Sequence, residues 1–153
     1  MSRPILVFDV NETLLDVRSM APQFEATFGN ASVLREWFSD LLRFSLEVSV
    51  TGDYLPFDEL ARSALTTTAA RQGRELSAED SNALLSLMTQ LPAHADSAAG
   101  LSMLKEAGFI IAALTNSRHQ TALTQLTFAG LVTAFDHISV SYTHLTLPTI
   151  CSV

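Results

Sequence analysis

The chain has 153 residues, enough for one domain or for one core that carries an inserted subdomain, and long enough to bury a real core. A hydrophobic fraction of 48% excludes a disordered chain, and no apolar run approaches the length of a membrane span. Nine basic against sixteen acidic residues give a net charge of −7. No basic cluster exists to neutralise phosphates, which argues against nucleic acid but leaves room for a small anion held by one well-placed arginine.

The N-terminus, Met1-Ser2-Arg3-Pro4, leads directly into the first predicted strand with no room for a signal peptide, so the expected location is cytoplasmic. Ile5-Leu6-Val7-Phe8 is four apolar residues running into Asp9, the pattern of a short parallel strand buried on both faces. Helices are predicted next over Met20 to Phe28, from a Ser32 cap to about Val50, over Phe57 to about Gln72, and from the Ser77 capping box to about Gln90. Gly29-Asn30 and Gly73 supply two of the stops, and Pro92 marks a boundary. The pattern then changes to a helix from Asp96 to Ala107, a strand from Phe109 to Leu114 and a polar turn, Thr115-Asn116-Ser117. A helix from Arg118 to Phe128 and a strand from Phe135 to Val140 complete it. Strands alternating with helices argue for an α/β fold with a parallel sheet and crossover helices.

Asp9 would stand at the carboxyl end of the first strand, where open α/β sheets bind ligands, and a carboxylate there can act as a nucleophile; the alternative is a turn cap. If the two strands are parallel neighbours, Asp9 and Thr13 share one crevice with Thr115 and Asn116.

Phe8-Asp9-Val10-Asn11-Glu12-Thr13-Leu14 and Ile111-Ala112-Ala113-Leu114-Thr115-Asn116-Ser117 together resemble the first two motifs of the haloacid dehalogenase superfamily. The resemblance spans roughly residues 3 to 139. It implies a Rossmann-like core, residues 1–15 and 93–139, with an incomplete parallel sheet and an inserted helical cap, residues 16–92. Phosphatases of this superfamily carry a second Asp two residues after the nucleophile, as general acid and base. Asn11 cannot transfer a proton, whereas a halide leaving group needs none. The resemblance is therefore closest to the type II (S)-2-haloacid dehalogenases, unless Asn11 is only a turn residue.

That resemblance implies hydrolytic dehalogenation of short 2-haloalkanoic acids to 2-hydroxy acids through an aspartyl ester. Asp9 would be the nucleophile and Thr13 its orienting partner, while Thr115, Asn116 and Asn11 would lie against the substrate. Arg35 would bind the substrate or the departing halide, with Arg43 the competing choice and a surface ion pair the plain alternative. Trp37, Phe38 and Phe44 either wall an apolar pocket or are simply core. Asp16 is read as a helix cap, and Arg118 as a helix start or a neighbour of the anion. His94, His119 and His137 show no metal-ligand spacing, so no metal is implied. Alternatives are a Mg-dependent phosphatase of the same fold and a non-catalytic fragment; a homodimer is expected only of a full-length parent.

The family's Lys-Pro pair and later acidic residues have no counterpart, since Lys105 is the chain's only lysine. Val140 to Thr149 resembles a translated transposase-type sequencing adapter. Residues 140–153 are accordingly read as a non-native tail on a truncated, poorly soluble chain with little turnover.

Overall fold

A computed structural model describes residues 3–52 and 55–140. Three short strands, β1 (Ile5–Phe8), β2 (Ile110–Thr115) and β3 (His137–Val140), form one parallel sheet in the order β1-β2-β3. Ile5 stands opposite Ile110 and Phe8 opposite Ala113, so the two motif-bearing strands are direct neighbours. Their carboxyl ends therefore open on the same side, as the crevice argument required.

Between β1 and β2 come α1 (Ala21–Phe28), α2 (Val33–Thr51), α3 (Phe57–Arg71), α4 (Ala78–Ser86) and α5 (Ser97–Glu106); α6 (His119–Phe128) joins β2 to β3. Gly29 ends α1 in the left-handed conformation, at φ 76°, and its N–H returns to the Glu25 carbonyl. The Ser77 hydroxyl accepts the Asp80 N–H at 3.0 Å and donates to the Asp80 carboxylate at 2.7 Å, which sets the start of α4. The helix predicted to reach Gln90 instead tightens into a 3-10 turn over Leu87–Thr89 ahead of Pro92. Ser32 precedes α2, as expected, but its side chain makes no capping bond; its N–H donates to Asn30 Oδ1 at 2.9 Å.

One expectation fails in an instructive way. β1 is not buried on both faces: Ile5 is 55% and Val7 60% exposed. Among the described residues β1 pairs only with β2, and the central position belongs to β2, where Ile111, Ala112, Ala113 and Thr115 are buried. The apolar run correctly indicates a strand of a parallel sheet, but it cannot say which strand takes the middle.

The buried cluster runs without a break from the strands into the helical insertion. Val10 and Leu15 beside β1, Ile111 in β2 and Leu126 in α6 share it with Phe24, Trp37 and Leu65. Two chain crossings link the two parts. Asp16 N–H donates to the Pro92 carbonyl at 2.9 Å, and His94 N–H donates to the Leu14 carbonyl at 2.9 Å. The Ser97 hydroxyl donates to that same Leu14 oxygen at 3.0 Å. The crossings thus form a small backbone clasp beneath the end of β1.

Candidate active site

Asp9 follows β1 and is exposed, so its carboxylate is open to a ligand. The chain then folds back at once: Leu14 N–H and Leu15 N–H both donate to the Val10 carbonyl, at 2.9 and 3.1 Å. That closed turn puts Thr13 beside Asp9, and the Thr13 hydroxyl donates to Asp9 Oδ2 at 2.8 Å. The bond engages one carboxylate oxygen, Oδ2, and fixes the orientation of the carboxylate. Glu12 makes the turn possible with a positive φ of 64°, unusual for a residue with a side chain. Its carboxylate compensates by accepting the Val17 N–H at 3.0 Å.

Asn11 is half-buried and doubly held. Its Nδ2 donates to Ser117 Oγ at 3.4 Å, and its Oδ1 accepts from Gln125 Nε2 at 3.0 Å. Thr115 is buried, and its hydroxyl oxygen accepts the Ser117 N–H at 3.2 Å. Asn116 is exposed and reaches across to the insertion, donating to Ser45 Oγ of α2 at 3.4 Å. The two strand ends are thereby joined by polar side chains, and Ser117 and Gln125 belong to that network although sequence reading gave them no role. Gln125 sits at a buried helical position where the pattern asks for an apolar residue, and that misfit was the available signal.

Arg35 is exposed on α2 and lines a groove of about 490 Å³ with Glu12, Val17, Arg18 and Phe38. Asp9 does not line this groove, and no hydrogen bond or ion pair joins Arg35 to it among the described residues. Its competitor is already engaged: Arg43 bonds Glu47 at 2.8 Å and Asp40 at 3.3 Å, and its guanidinium lies 4.7 Å from the Phe44 ring centre. Of the two arginines, Arg35 is the one whose charge is not spent within α2. Trp37 is core, wholly buried with its indole N–H donating to the Ala61 carbonyl at 3.0 Å. Phe38 lines the Arg35 groove. Arg118 pairs with Asp58 at 3.0 Å and Glu59 at 3.3 Å on the rim of a second cavity, of about 300 Å³, between α3, α6 and the turn at Met88.

Asp16 caps the 3-10 turn Val17–Met20, accepting the Arg18 N–H at 2.9 Å. Burial pushes its carboxyl up, but the bonds from the Arg18 side chain and backbone outweigh this and hold it below the usual carboxylate range. The fold also gathers Glu12, Asp16 and His94, with ligand-type atoms all within 4.8 Å of one another, which spacing along the sequence did not show. Arg18 Nε already lies 3.0 Å from Asp16 Oδ1, so a cation is supplied there by the chain itself. Lys105, the chain's only lysine, does not stand beside Asp9. It lies before the start of β2 and bonds the Thr133 and Ala134 carbonyls at 3.2 Å each, with Asp136 3.5 Å away. That is the end of the sheet opposite Asp9.

Comparison with known proteins gives this geometry a family. The chain is 30% identical over 134 residues to an (S)-2-haloacid dehalogenase of Pseudomonas fluorescens, covering 86% of this chain and 59% of that protein. The L-2-haloacid dehalogenase of Xanthobacter autotrophicus superposes with a TM-score of 0.83 at 26% identity, over 91% of this chain and 57% of its own. The same enzyme has been solved with chloropropionic acid covalently bound, and that form also superposes with a TM-score of 0.83, at 25% identity. The chain therefore spans about three fifths of the length of the relatives it matches. The family profile matches residues 4–146, from before β1 to beyond β3 and through both motifs, and on that match the chain belongs to the haloacid dehalogenase-like hydrolase family.

Proposed function

We propose that the chain carries the nucleophile half of a hydrolytic dehalogenase acting on short 2-haloalkanoic acids. The observation that carries this reading is the Asp9 carboxylate, held by Thr13 at 2.8 Å at the end of β1 and beside the end of β2. The covalently bound chloropropionic acid of the Xanthobacter relative supports an ester-forming chemistry. In the first step an Asp9 oxygen attacks the halogen-bearing carbon from behind. The carbon–halogen bond breaks, its electron pair leaves with the halide, and the centre inverts. Water then attacks the ester carbonyl, releasing a 2-hydroxy acid and a proton and restoring the Asp9 carboxylate. Thr13 orients the nucleophile, Thr115 and Asn116 bind the substrate carboxylate, and Arg35 supplies positive charge for substrate or halide. Arg35 reaches that role only if the groove it lines closes towards Asp9. No metal or cofactor enters this scheme.

Residues 1–15 and 93–139 are read as the core of that enzyme, residues 16–92 as its cap and residues 140–153 as a non-native tail. Val140 itself closes β3, and residues 141–153 lie outside the described residues. Leu42, Leu46 and Val50, exposed at helical spacing on α2, support a homodimer of the full-length parent. A cytoplasmic location is part of the same reading.

The test separates the two chemical steps. Incubation with 2-chloropropionate and intact-mass measurement is expected to show a covalent adduct on the chain that Asp9→Asn abolishes. Halide beyond one equivalent is expected to be slow, because the later acidic residues that the family places near the hydrolytic water have no counterpart in this chain. Absence of any adduct would favour a non-catalytic fragment, the reading that the remote position of Lys105 supports. Phosphate release from phosphoesters with Mg²⁺, without halide release, would favour the phosphatase.

A further inference from the structure

We propose that Gln125 is a positioning residue that makes the turn carrying Asp9 and Thr13 depend on docking of the helical insertion. One nitrogen does this. Gln125 Nε2 donates to the Met88 carbonyl, in the 3-10 turn of the insertion, at 2.7 Å, and to Asn11 Oδ1 at 3.0 Å. Both partners are acceptors, so the amide cannot be turned over: its oxygen would then face two oxygens. Oε1 is consequently left buried with no hydrogen-bond partner among the described residues, a cost that folds rarely carry without a reason. Packing is not the reason. Gln125 is wholly buried on α6 at the cavity it lines with Phe57, Leu85 and Met88, where a leucine would fill the space without stranding an acceptor.

The donation also fixes Asn11. With Oδ1 committed to Gln125, Nδ2 is directed to Ser117 Oγ at 3.4 Å, and the Ser117 N–H to Thr115 Oγ1 at 3.2 Å. A single relay thus runs from Met88 through Gln125, Asn11 and Ser117 to Thr115, touching the insertion and both strand ends. Asn11 is two residues from Asp9 and begins the tight turn that presents Thr13. The catalytic meaning of that turn rests on the reading of Asp9 above; the coupling itself does not.

Hydrogen–deuterium exchange on the full chain tests the coupling without turnover. Gln125→Leu keeps the bulk and removes both donations. It is expected to raise exchange of amides in residues 10–15 and 87–94 at least tenfold, while residues 110–114 of β2 keep their protection. Gln125→Glu is the sharper variant. Its carboxylate faces two acceptors and is expected to loosen the same segments at neutral pH. Its protonated carboxyl regains one O–H donor, so protection is expected to return in part as pH falls, relative to wild type at each pH. Asp58, Glu59, Arg62 and Arg118 line the same cavity and are the same in all three proteins, so comparison with wild type at each pH removes their contribution. A silent Gln125→Leu, a Gln125→Glu with no recovery at low pH, or a uniform loss of protection that includes 110–114 would each overturn the proposal. A chain that shows the expected exchange pattern yet never forms the Asp9 adduct would keep this inference and remove the dehalogenase reading.

Discussion

At the scale of single residues, the helical insertion is pinned by one carboxylate. Asp40 is buried on α2, 3.0 Å from Arg71 and 3.3 Å from Arg43, and it accepts the Thr68 hydroxyl at 3.2 Å. Burial pushes its carboxyl up, but the bonds from Arg71, Arg43 and Thr68 prevail and hold it below the usual range. A depressed folded-state value stabilises the charged form in the native protein. That contribution is fully present above the unfolded aspartate value, about 3.9, and is lost as pH falls through the lower folded value. Asp40→Asn is therefore expected to cost about 1–3 kcal/mol at neutral pH, with much less difference from wild type in strong acid. Urea unfolding from pH 7 down to pH 3 checks it; a constant gap across that range would remove Asp40 as the pin. The sequence shows Asp40 and Arg43 three residues apart on a helix, a pair any reader would note. It does not show Arg71, because the contact depends on how α3 crosses α2. Asp9 and Thr13 are legible from the family motif, and their contact is local, since a tight turn brings residues four apart together.

At the scale of elements, the order and type of the three strands and six α-helices among the described residues follow from periodicity and turn chemistry, with boundaries moved by a residue or a few. Two features escaped. The end of the fourth predicted helix is a 3-10 turn, and that turn presents the Met88 carbonyl to Gln125. β1 reads as doubly buried, because an apolar run carries no information about how many neighbours a strand has. The seam between α2 and α3 is the best-defined contact in the insertion. Trp37 fills it, its ring 5.3 Å from that of Phe24 and tilted by 37° to it, with the indole N–H bonded to the Ala61 carbonyl. Trp37→Ala is expected to destabilise the chain by about 3–5 kcal/mol, the range for emptying a large aromatic site. Trp37→Phe should cost closer to about 1 kcal/mol beyond the lost volume, since Ala61 lies inside α3 and its carbonyl retains a helical partner. Chemical denaturation distinguishes them; equal losses would mean that the indole hydrogen bond, not the packing, holds the seam.

At the scale of the whole molecule, two apolar surfaces face solvent, and their geometry assigns them different behaviour. On α2, Leu42, Leu46 and Val50 form a narrow stripe, with Val50 79% exposed. Two copies can bury such a stripe against each other around a two-fold axis, and the assembly then stops. On β1, Ile5 and Val7 lie on the exposed face of a strand that has one partner among the described residues. A strand edge offers unpaired N–H and C=O groups in a row, and pairing through it can continue from copy to copy. Composition hides this distinction, because a hydrophobic fraction of 48% counts both surfaces alike. Where copies of the chain pair through the α2 stripe, Leu46→Glu is expected to shift that association towards monomer and to leave slow precipitation as it was. Val7→Lys places a charge on the open face without entering the core, and is expected to slow precipitation without changing association through α2. Sedimentation velocity read alongside light scattering over days separates the two. If Leu46→Glu alone abolished both behaviours, the β1 edge would have no part in association, and the three-stranded sheet would be complete enough to protect itself.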